Sequence, residues 1–167
     1  MMAVLRPRKL TAFEGFYRRH FSRTRALLTL MTGDVALAEE ATQEALVRAY
    51  GRWSTVSRLD HPDRWLTVVA LNIVRDAHRR QKRHTRALAR LSPLLSSEDR
   101  VDDRLDVVRV VAHLPPRQRE VVVLRYLVGL NTAETATIMK CAQGTVQASL
   151  AAAIRNIGAR LGERDHE

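Results

Sequence analysis

The chain has 167 residues, a single cysteine and a formal net charge of +10. One cysteine excludes an internal disulfide and a cysteine-rich zinc site, and the excess positive charge favours an anionic partner, either nucleic acid or an anionic membrane. No apolar run approaches the roughly 20 residues that cross a bilayer, and no apolar segment follows the basic residues Arg6, Arg8 and Lys9. We therefore expect a soluble, cytoplasmic protein with no membrane association.

Helical periodicity runs along almost the whole chain, while glycine is scarce and proline clusters at a few boundaries. The pattern predicts helices near residues 11–31, 34–52, 62–86, 104–113, 117–128, 132–139 and 144–161. A polar, acidic stretch at residues 91–103 is typical of a flexible linker. The predicted fold class is all-α, with two small helical domains at residues 10–90 and 104–163 joined by that linker.

The excess positive charge is confined to the first half of the chain. Residues 1–90 contain 18 Lys and Arg against 8 Asp and Glu, whereas residues 91–167 contain 10 of each. Because binding to phosphates depends on local cations, the sequence predicts that the first domain contributes most of the affinity for a nucleic acid.

The helix predicted at 34–52 begins with acidic and amide side chains. Early acids stabilise a helix through its dipole, and Glu44 with Arg48 forms a favourable i,i+4 pair, so a solvated face would explain the pattern. A surface for a protein partner is the alternative. The side chains concerned are Glu39, Glu40, Gln43, Glu44 and Arg48.

The helix predicted at 62–86 begins at Pro62 and has two faces. Trp65, Val69, Ile73 and Ala77 can face a core, and a polar stripe lies elsewhere on the helix. Seven cations within residues 75–90 are opposed by a single acid, which favours nucleic-acid binding over a solvated face. An asparagine at the upstream end of the stripe can both donate to and accept from a base edge. The stripe contains Asn72, Arg75, Arg79, Arg83 and Arg86, with Arg80 beside it.

Seven of the eight aromatic residues lie in the same half of the chain. Aromatic rings beside a basic groove can stack on unpaired bases, but most of them are expected in the hydrophobic core. They are Phe13, Phe16, Tyr17, Phe21, Tyr50, Trp53 and Trp65.

The second domain contains the signals of a helix-turn-helix. Pro115 and Pro116 predict a helix start, because proline is tolerated only in a first turn, and Gly129 predicts its end. Asn131 or Thr132 can cap the next helix, with Glu134 in its first turn. Residues 140–143 form the turn before the last helix.

The last helix is predicted to bury one apolar stripe, formed by Val146, Leu150, Ile154, Ile157 and Leu161. Its other face then carries small polar residues, and two helices joined by a short turn fit a major groove. From periodicity alone, an ordinary helical hairpin is an equal alternative.

Catalytic and metal sites have little support. The six histidines show no metal-ligand pairing with the cysteine or with carboxylates, and neither a phosphate-binding glycine loop nor a nucleophile elbow is present. We expect no enzymatic activity, no metal and no cofactor. Cys141 is expected to be a small buried residue of the turn rather than a redox site.

Four segments of the chain, in sequence order, resemble the extracytoplasmic-function (ECF) group of bacterial sigma factors. This group belongs to the sigma-70 family of RNA polymerase subunits. Residues 38–50 resemble the region 2 helix that docks on the β′ clamp helices. Residues 65–80, with Trp65, Asn72 and Asp76, resemble the helix that reads the −10 element. Residues 114–130 are similar to the opening of region 4, and residues 144–146 fall where the family begins its −35 recognition helix.

The resemblance implies a dissociable polymerase subunit that directs promoter-specific initiation and has no chemistry of its own. Region 2 would capture flipped bases of the −10 element, with residues 54–63 as the loop that holds a base and Asn72 as a direct reader. Region 4 would lie on duplex −35 DNA and touch the β flap of the polymerase. An anti-sigma factor or another protein partner is implied as well. The implied −10 set is Trp65, Asn72, Arg75, Arg79, Arg80 and Arg83, and the implied −35 set is Thr132, Thr145, Gln147, Ala148, Ser149, Ala152 and Arg155.

The chain departs from the family pattern in region 4. The family usually has basic residues where Gln147, Ser149 and Ala152 stand, an apolar residue where Thr135 stands and a glycine where Lys140 stands. Each lost phosphate contact lowers the salt slope of binding by about 0.9, so the resemblance implies a weak −35 contact.

Two other classes of function stay open on sequence grounds. A helix-turn-helix regulator that acts without polymerase would require tight duplex binding by the second domain, which the zero net charge of residues 91–167 disfavours. The second domain could instead be a module that docks on another protein.

Overall fold

The computed structural model describes residues 7–88 and 106–164, and within them every regular element is helical. The all-α prediction is therefore confirmed. The chain divides into two compact units, residues 1–28 with 34–97 and residues 29–33 with 98–167. The predicted linker at 91–103 lies outside the described residues.

The first unit is built from four helices: α1 (Pro7–Thr32), α2 (Val35–Gly51), α3 (Trp53–Val56) and α4 (Pro62–Leu88). Helix α2 begins at an N-cap, because the Asp34 carboxylate accepts a hydrogen bond of 2.9 Å from the Leu37 amide. The short helix α3 was not predicted. Four residues are too few for a periodic signal to emerge.

Helices α2 and α4 pack directly against each other. Helix α2 contributes small, fully buried side chains, including Ala41 and Ala45, and α4 contributes Leu66, Ala70 and Val74. Because alanine occupies little space, the two backbones can approach closely and pack without voids. This packing fixes which face of α4 is left for solvent.

Aromatic rings fill the space between α1, the end of α2 and α3. The Phe13 ring lies 4.9 Å from that of Tyr50 and 5.3 Å from that of Trp53. Phe16 and Trp53 are buried. These aromatic rings belong to the core, as predicted from the sequence for most of the aromatic residues.

The predicted core face of α4 is partly wrong. Ile73 is buried as expected, but Trp65, Val69 and Ala77 are only partly buried. One residue along a helix is a rotation of about 100°, and α2 covers the face centred on Leu66 and Ala70. Trp65 and Val69 therefore lie at the edge of the packed interface.

The second unit contains α5 (Asp106–Ala112), α6 (Pro116–Val122), a π-helical turn (Val123–Leu127), α7 (Thr132–Met139) and α8 (Gln143–Arg164). Helix α6 begins at Pro116, as predicted, and Gly129 adopts a φ of 79° at the end of this segment. The π-helical turn replaces the last part of the helix predicted at 117–128, a feature that periodicity does not show.

The core of the second unit is formed mainly by α6 and α8, with α7 packed against α8 and the π-helical turn. Val121, Ala136 and Val146 form a buried cluster, and the partly buried Cys141 and Leu150 pack on it. The predicted apolar stripe of α8 is wrong at Ile154, which is 53% exposed, while Ala153 is fully buried. Residue 154 is eight positions after Val146 and so lies about 80° away from it around the helix. The side chain of Leu161 lies outside the described residues.

Candidate nucleic-acid and protein interfaces

A groove of about 480 Å³ lies where the end of α2 meets the beginning of α4. It is lined by Arg48, Gly51, Arg52, Trp65 and Val69. Its lining therefore combines an indole and a valine side chain, both partly buried, with two exposed arginine side chains. A flat aromatic group can stack on such an indole while a nearby guanidinium binds an attached phosphate.

The exposed face of α4 continues from this groove towards the C-terminal end of the helix. Asn72 is exposed two turns after Trp65, and Arg79 and Arg80 are exposed two turns further on. Arg75 is partly buried. The side chain of Arg83 lies outside the described residues. The described part of the predicted −10 set thus shares one side of one helix.

Arg79 is not a free cation, because its guanidinium forms an ion pair with the Asp76 carboxylate one turn earlier. Both side chains are more than half exposed, so solvent screens the pair and its contribution to stability is small. A phosphate can compete for Arg79, but it must displace Asp76 and approach its negative charge. The sequence showed the spacing but did not show that the pair forms.

The predicted base-holding loop at residues 54–63 contains helix α3 and the turn after it. Trp53 and Val56 are buried and fix this segment to the unit, while Ser57, Arg58 and His61 are exposed. The loop is therefore anchored at its start and presents polar side chains to solvent.

The acidic set predicted on α2 contains side chains in ion pairs and side chains exposed to solvent. Glu39 forms an ion pair of 3.1 Å with Arg25 of α1, and Glu44 pairs with Arg48. Glu40 and Gln43 are exposed. Val47 was missed by the sequence argument. It is 71% exposed and lies on the same face, at i+7 from Glu40 and i+4 from Gln43.

An exposed valine surrounded by polar side chains is typical of a surface that a partner covers, since apolar residues are enriched in the centre of protein interfaces. Its spacing from Glu40 and Gln43 was available in the sequence as a signal. Arg48 lies at the border of this surface and also lines the groove.

Helix α7 is capped as its sequence predicted. Asn131 Oδ1 accepts a 2.8 Å hydrogen bond from the Glu134 amide, and the Glu134 carboxylate accepts one of 2.6 Å from the Asn131 amide. This reciprocal capping box satisfies two donors at the helix start. Buried Thr135 also finds a partner, because its hydroxyl donates to the Asn131 carbonyl oxygen at 2.8 Å. The core therefore accommodates a threonine at position 135, where the family usually has an apolar residue.

The turn before α8 contains a strained residue. Lys140 is the C-cap of α7 and lies in the left-handed region, with φ 52° and ψ 50°. Glycine adopts this conformation readily, whereas a residue with a Cβ atom pays about 1–2 kcal/mol.

Helix α8 presents a neutral surface at its N-terminal end. Arg155 is its first cation, and no lysine or arginine occurs in residues 141–154. Thr132 of α7 is partly buried. Of the set predicted on α8, Ser149 and Ala152 are partly buried and the rest are exposed: Thr145, Gln147, Ala148 and Arg155.

The described part of the chain has neither a cluster of metal-ligating side chains nor a helix suited to cross a membrane. Within it, no group of three or more His, Cys, Asp or Glu side chains is placed to hold a metal ion. No helix in residues 7–88 or 106–164 has the length and hydrophobicity that crossing a bilayer requires.

Two family models match the two units. The model described as Sigma-70 region 2 matches residues 16–84, and the model described as Sigma-70, region 4 matches residues 104–157. The chain is 33% identical over 130 residues to the RNA polymerase sigma-E factor of Streptomyces coelicolor, an alignment that covers 77% of this chain and 73% of that protein. It is 34% identical over 141 residues to the ECF RNA polymerase sigma factor SigL of Mycobacterium tuberculosis, covering 80% and 79%. The chain belongs to the ECF sigma factors.

Solved structures of sigma factors share its fold. The sigma factor RpoE of Bartonella quintana, in a complex with the anti-sigma factor NepR, has a TM-score of 0.68 at 19% identity over 90% of this chain and 97% of that one. CnrH, in a complex with the cytosolic domain of CnrY, has a TM-score of 0.53 at 23% identity over 92% and 90%. In this sigma factor the region 2 match contains the groove and the exposed faces of α2 and α4. The region 4 match contains the helix-turn-helix.

Proposed function

We propose that this sigma factor binds core RNA polymerase and directs promoter-specific initiation, with region 2 reading and melting the −10 element and region 4 contacting the −35 region weakly. The observation that carries the proposal is the continuity of one surface in region 2. The groove beside Trp65, exposed Asn72, and exposed Arg79 and Arg80 follow one another along the same side of α4.

The groove is suited to an unstacked base. Stacking on an aromatic ring contributes about 1–3 kcal/mol per base, while taking a base out of duplex DNA costs a few kcal/mol. Trp65 alone therefore does not offset the cost of extrusion. Phosphate contacts from the arginines and the contacts of the polymerase must supply the rest, which accounts for a protein that melts DNA only as part of a larger enzyme.

The exposed face of α2 is proposed as the surface for the β′ clamp helices. Glu40 and Gln43 offer charge and hydrogen bonds, and the exposed Val47, one turn after Gln43 on the same face, offers apolar area. The ion-paired side chains of α2 lie around this exposed surface; they are Glu39, Glu44 and Arg48. A second exposed apolar site, Tyr126 at 62% and Leu127 at 39%, supports a contact of region 4 with the β flap.

Region 4 is proposed as the weaker DNA contact. Its recognition helix α8 has its first cation at Arg155, so few phosphates can be neutralised near its N-terminal end. Polymerase contacts would then hold region 4 on DNA. The solved relatives in complexes with NepR and with CnrY support the further proposal that an anti-sigma protein binds this chain.

Run-off transcription tests the central proposal. Purified core polymerase with the full chain should initiate from promoters upstream of the genes that its induced expression activates, and core polymerase alone should not. Failure on every such promoter would sink the proposal. A gel shift that shows tight duplex binding by the full chain without polymerase would favour an independent regulator instead.

Substitutions on the exposed face of α4 distinguish recognition of the −10 bases from binding of the DNA phosphates. Asn72→Ala should change the preferred −10 sequence, while Arg79→Ala combined with Arg83→Ala should lower open-complex formation on all promoters. Arg18→Ala is the matched control, because Arg18 is likewise exposed and ion-paired, to Glu14 of α1. Loss of polymerase binding in either α4 variant would contradict these roles.

A further inference from the structure

The N-terminal part of α8 is held in a fixed rotation about its axis. Val146 and Ala153 are fully buried, and Leu150 packs on the same cluster. Gln147 and Ala148 are therefore turned towards solvent. In a helix-turn-helix, the first residues of the second helix reach the base edges of the major groove.

The surface at the N-terminal end of α8 has no charged side chain, but it does have polar side chains that can form hydrogen bonds. Three exposed polar side chains and one partly buried polar side chain precede its first cation, and none of them carries a charge: Gln143, Thr145, Gln147 and the partly buried Ser149. Arg155 lies eight residues after Gln147, which is about 12 Å along the helix axis. Lys140 lies in the preceding turn rather than on this face of α8.

The bases differ in which side chains can read them. Guanine presents two acceptors in the major groove and is read by arginine or lysine. Adenine presents one acceptor and one donor, which a glutamine amide matches with two hydrogen bonds, and the methyl group of thymine accepts contact from alanine. The chain has glutamine and alanine side by side at positions 147 and 148 and no cation in residues 141–154.

We propose that region 4 of this protein selects an A·T base pair in the −35 element through Gln147, with Ala148 against a thymine methyl, and that it does not select guanine. This inference rests on the proposed function and specifies its DNA sequence. One bidentate pair typically discriminates between bases by a factor of about ten or more. A preference of this size is measurable even when total affinity is low.

A promoter library tests the inference. The −10 element and spacer are held constant, the −35 region is randomised, and transcripts made by core polymerase with the full chain are sequenced. We expect enrichment of A·T pairs, with one position at which adenine exceeds guanine by about tenfold. Enrichment of guanine, or no base preference in the −35 region, would overturn the inference.

Two variants assign the preference to its side chain. Gln147→Ala should remove the adenine preference at that one position, and Gln147→Arg should convert it to a guanine preference, a gain that misfolding cannot produce. Asn156→Ala is the control on the same helix, because Asn156 donates to Gln118 of α6 at 2.8 Å, and its base preference should match the wild type. An unchanged adenine preference in both Gln147 variants would overturn the assignment.

An altered base provides an independent test on the DNA side. Replacing the selected adenine by 7-deazaadenine removes the N7 acceptor and should lower initiation by the wild type but not by Gln147→Ala. Equal loss in both proteins would overturn the proposed contact. If no template in any experiment yields transcripts, the proposed function fails and this inference fails with it. Transcripts without an adenine preference refute the inference alone.

Discussion

Two substitutions at Lys140 can distinguish the effect of backbone strain on stability from the effect of the lysine side chain. It has a φ of 52° at the end of α7, and its side chain is exposed. Lys140→Gly relieves the steric conflict between the Cβ atom and the backbone. Lys140→Ala removes the same ammonium group but keeps the Cβ atom, which makes it the matched control.

Two contributions set the expected difference in stability between the two variants, and a third affects both variants equally. The left-handed conformation costs a residue with a Cβ atom about 1–2 kcal/mol, and glycine returns roughly 0.5–1 kcal/mol of that through its greater freedom in the unfolded chain. A lysine at the C-terminal end of a helix also contributes about 0.3–1 kcal/mol through the helix dipole, which both variants lose. The first two ranges differ by about 0–1.5 kcal/mol, so Lys140→Gly should be more stable than Lys140→Ala by about 0.75 kcal/mol, the middle of that range.

Urea unfolding of the full chain, followed by circular dichroism, measures this difference. At 0.5 M salt the dipole contribution is screened, so Lys140→Gly should then match or exceed the wild type. Calorimetry provides a second readout, because 1 kcal/mol corresponds to about 4–8 °C in the Tm of a domain of 60–100 residues. If Lys140→Ala is as stable as Lys140→Gly, the strain argument is refuted.

Three further predictions concern caps, charges and pH. Asn131→Ala should lower the free energy of unfolding by about 1 kcal/mol in urea titrations, since it removes the capping box, whereas Asn131→Asp should retain most of it. Asp76→Asn should release Arg79 and tighten holoenzyme binding to single-stranded −10 DNA, raising the salt slope by about 0.7. Glu14→Gln, which releases an arginine on α1, should leave that binding unchanged. Burial lowers the pKa of His20, and the negative charge of Asp63 offsets only part of this effect. The free energy of unfolding should therefore fall as the pH drops through about 6.5. An equal fall in the His20→Gln variant would contradict this prediction.

The sign of the His20 effect follows from where the proton binds. The unfolded chain takes up a proton near pH 6.5, while the folded protein takes it up only at a lower pH because the partly buried imidazole, in ring contact with Phe16, loses solvation when charged. Acidification therefore favours the unfolded state across this interval.

Local signals in the sequence were sufficient for much of the fold. Proline at 116, asparagine at 131 and glycine at 129 act within a few residues of themselves, so their roles as helix boundaries could be predicted without a tertiary structure. The family resemblance rests on such short segments in order, and the comparisons confirm it. The absence of charged residues from the N-terminal part of α8 could also be read from the sequence.

The orientation of each helix could not be predicted to within one residue. Ile154 was predicted in the core and is exposed, while Trp65 and Val69 line a groove instead of the interior. Periodicity identifies an apolar stripe, but a step of one residue rotates the helix by about 100°. Only the neighbouring helix decides which part of a broad stripe is covered.

By itself, the sequence determined the helical class, the family and the distribution of charge, because these depend on residue identity and local spacing. The tertiary structure alone decided that Arg79 pairs with Asp76, that Lys140 adopts a left-handed conformation, and that Arg48 and Trp65 line the same groove. These features depend on side-chain rotamers, on the geometry of a turn and on contacts between residues distant in sequence, all of which are fixed only when the helices pack.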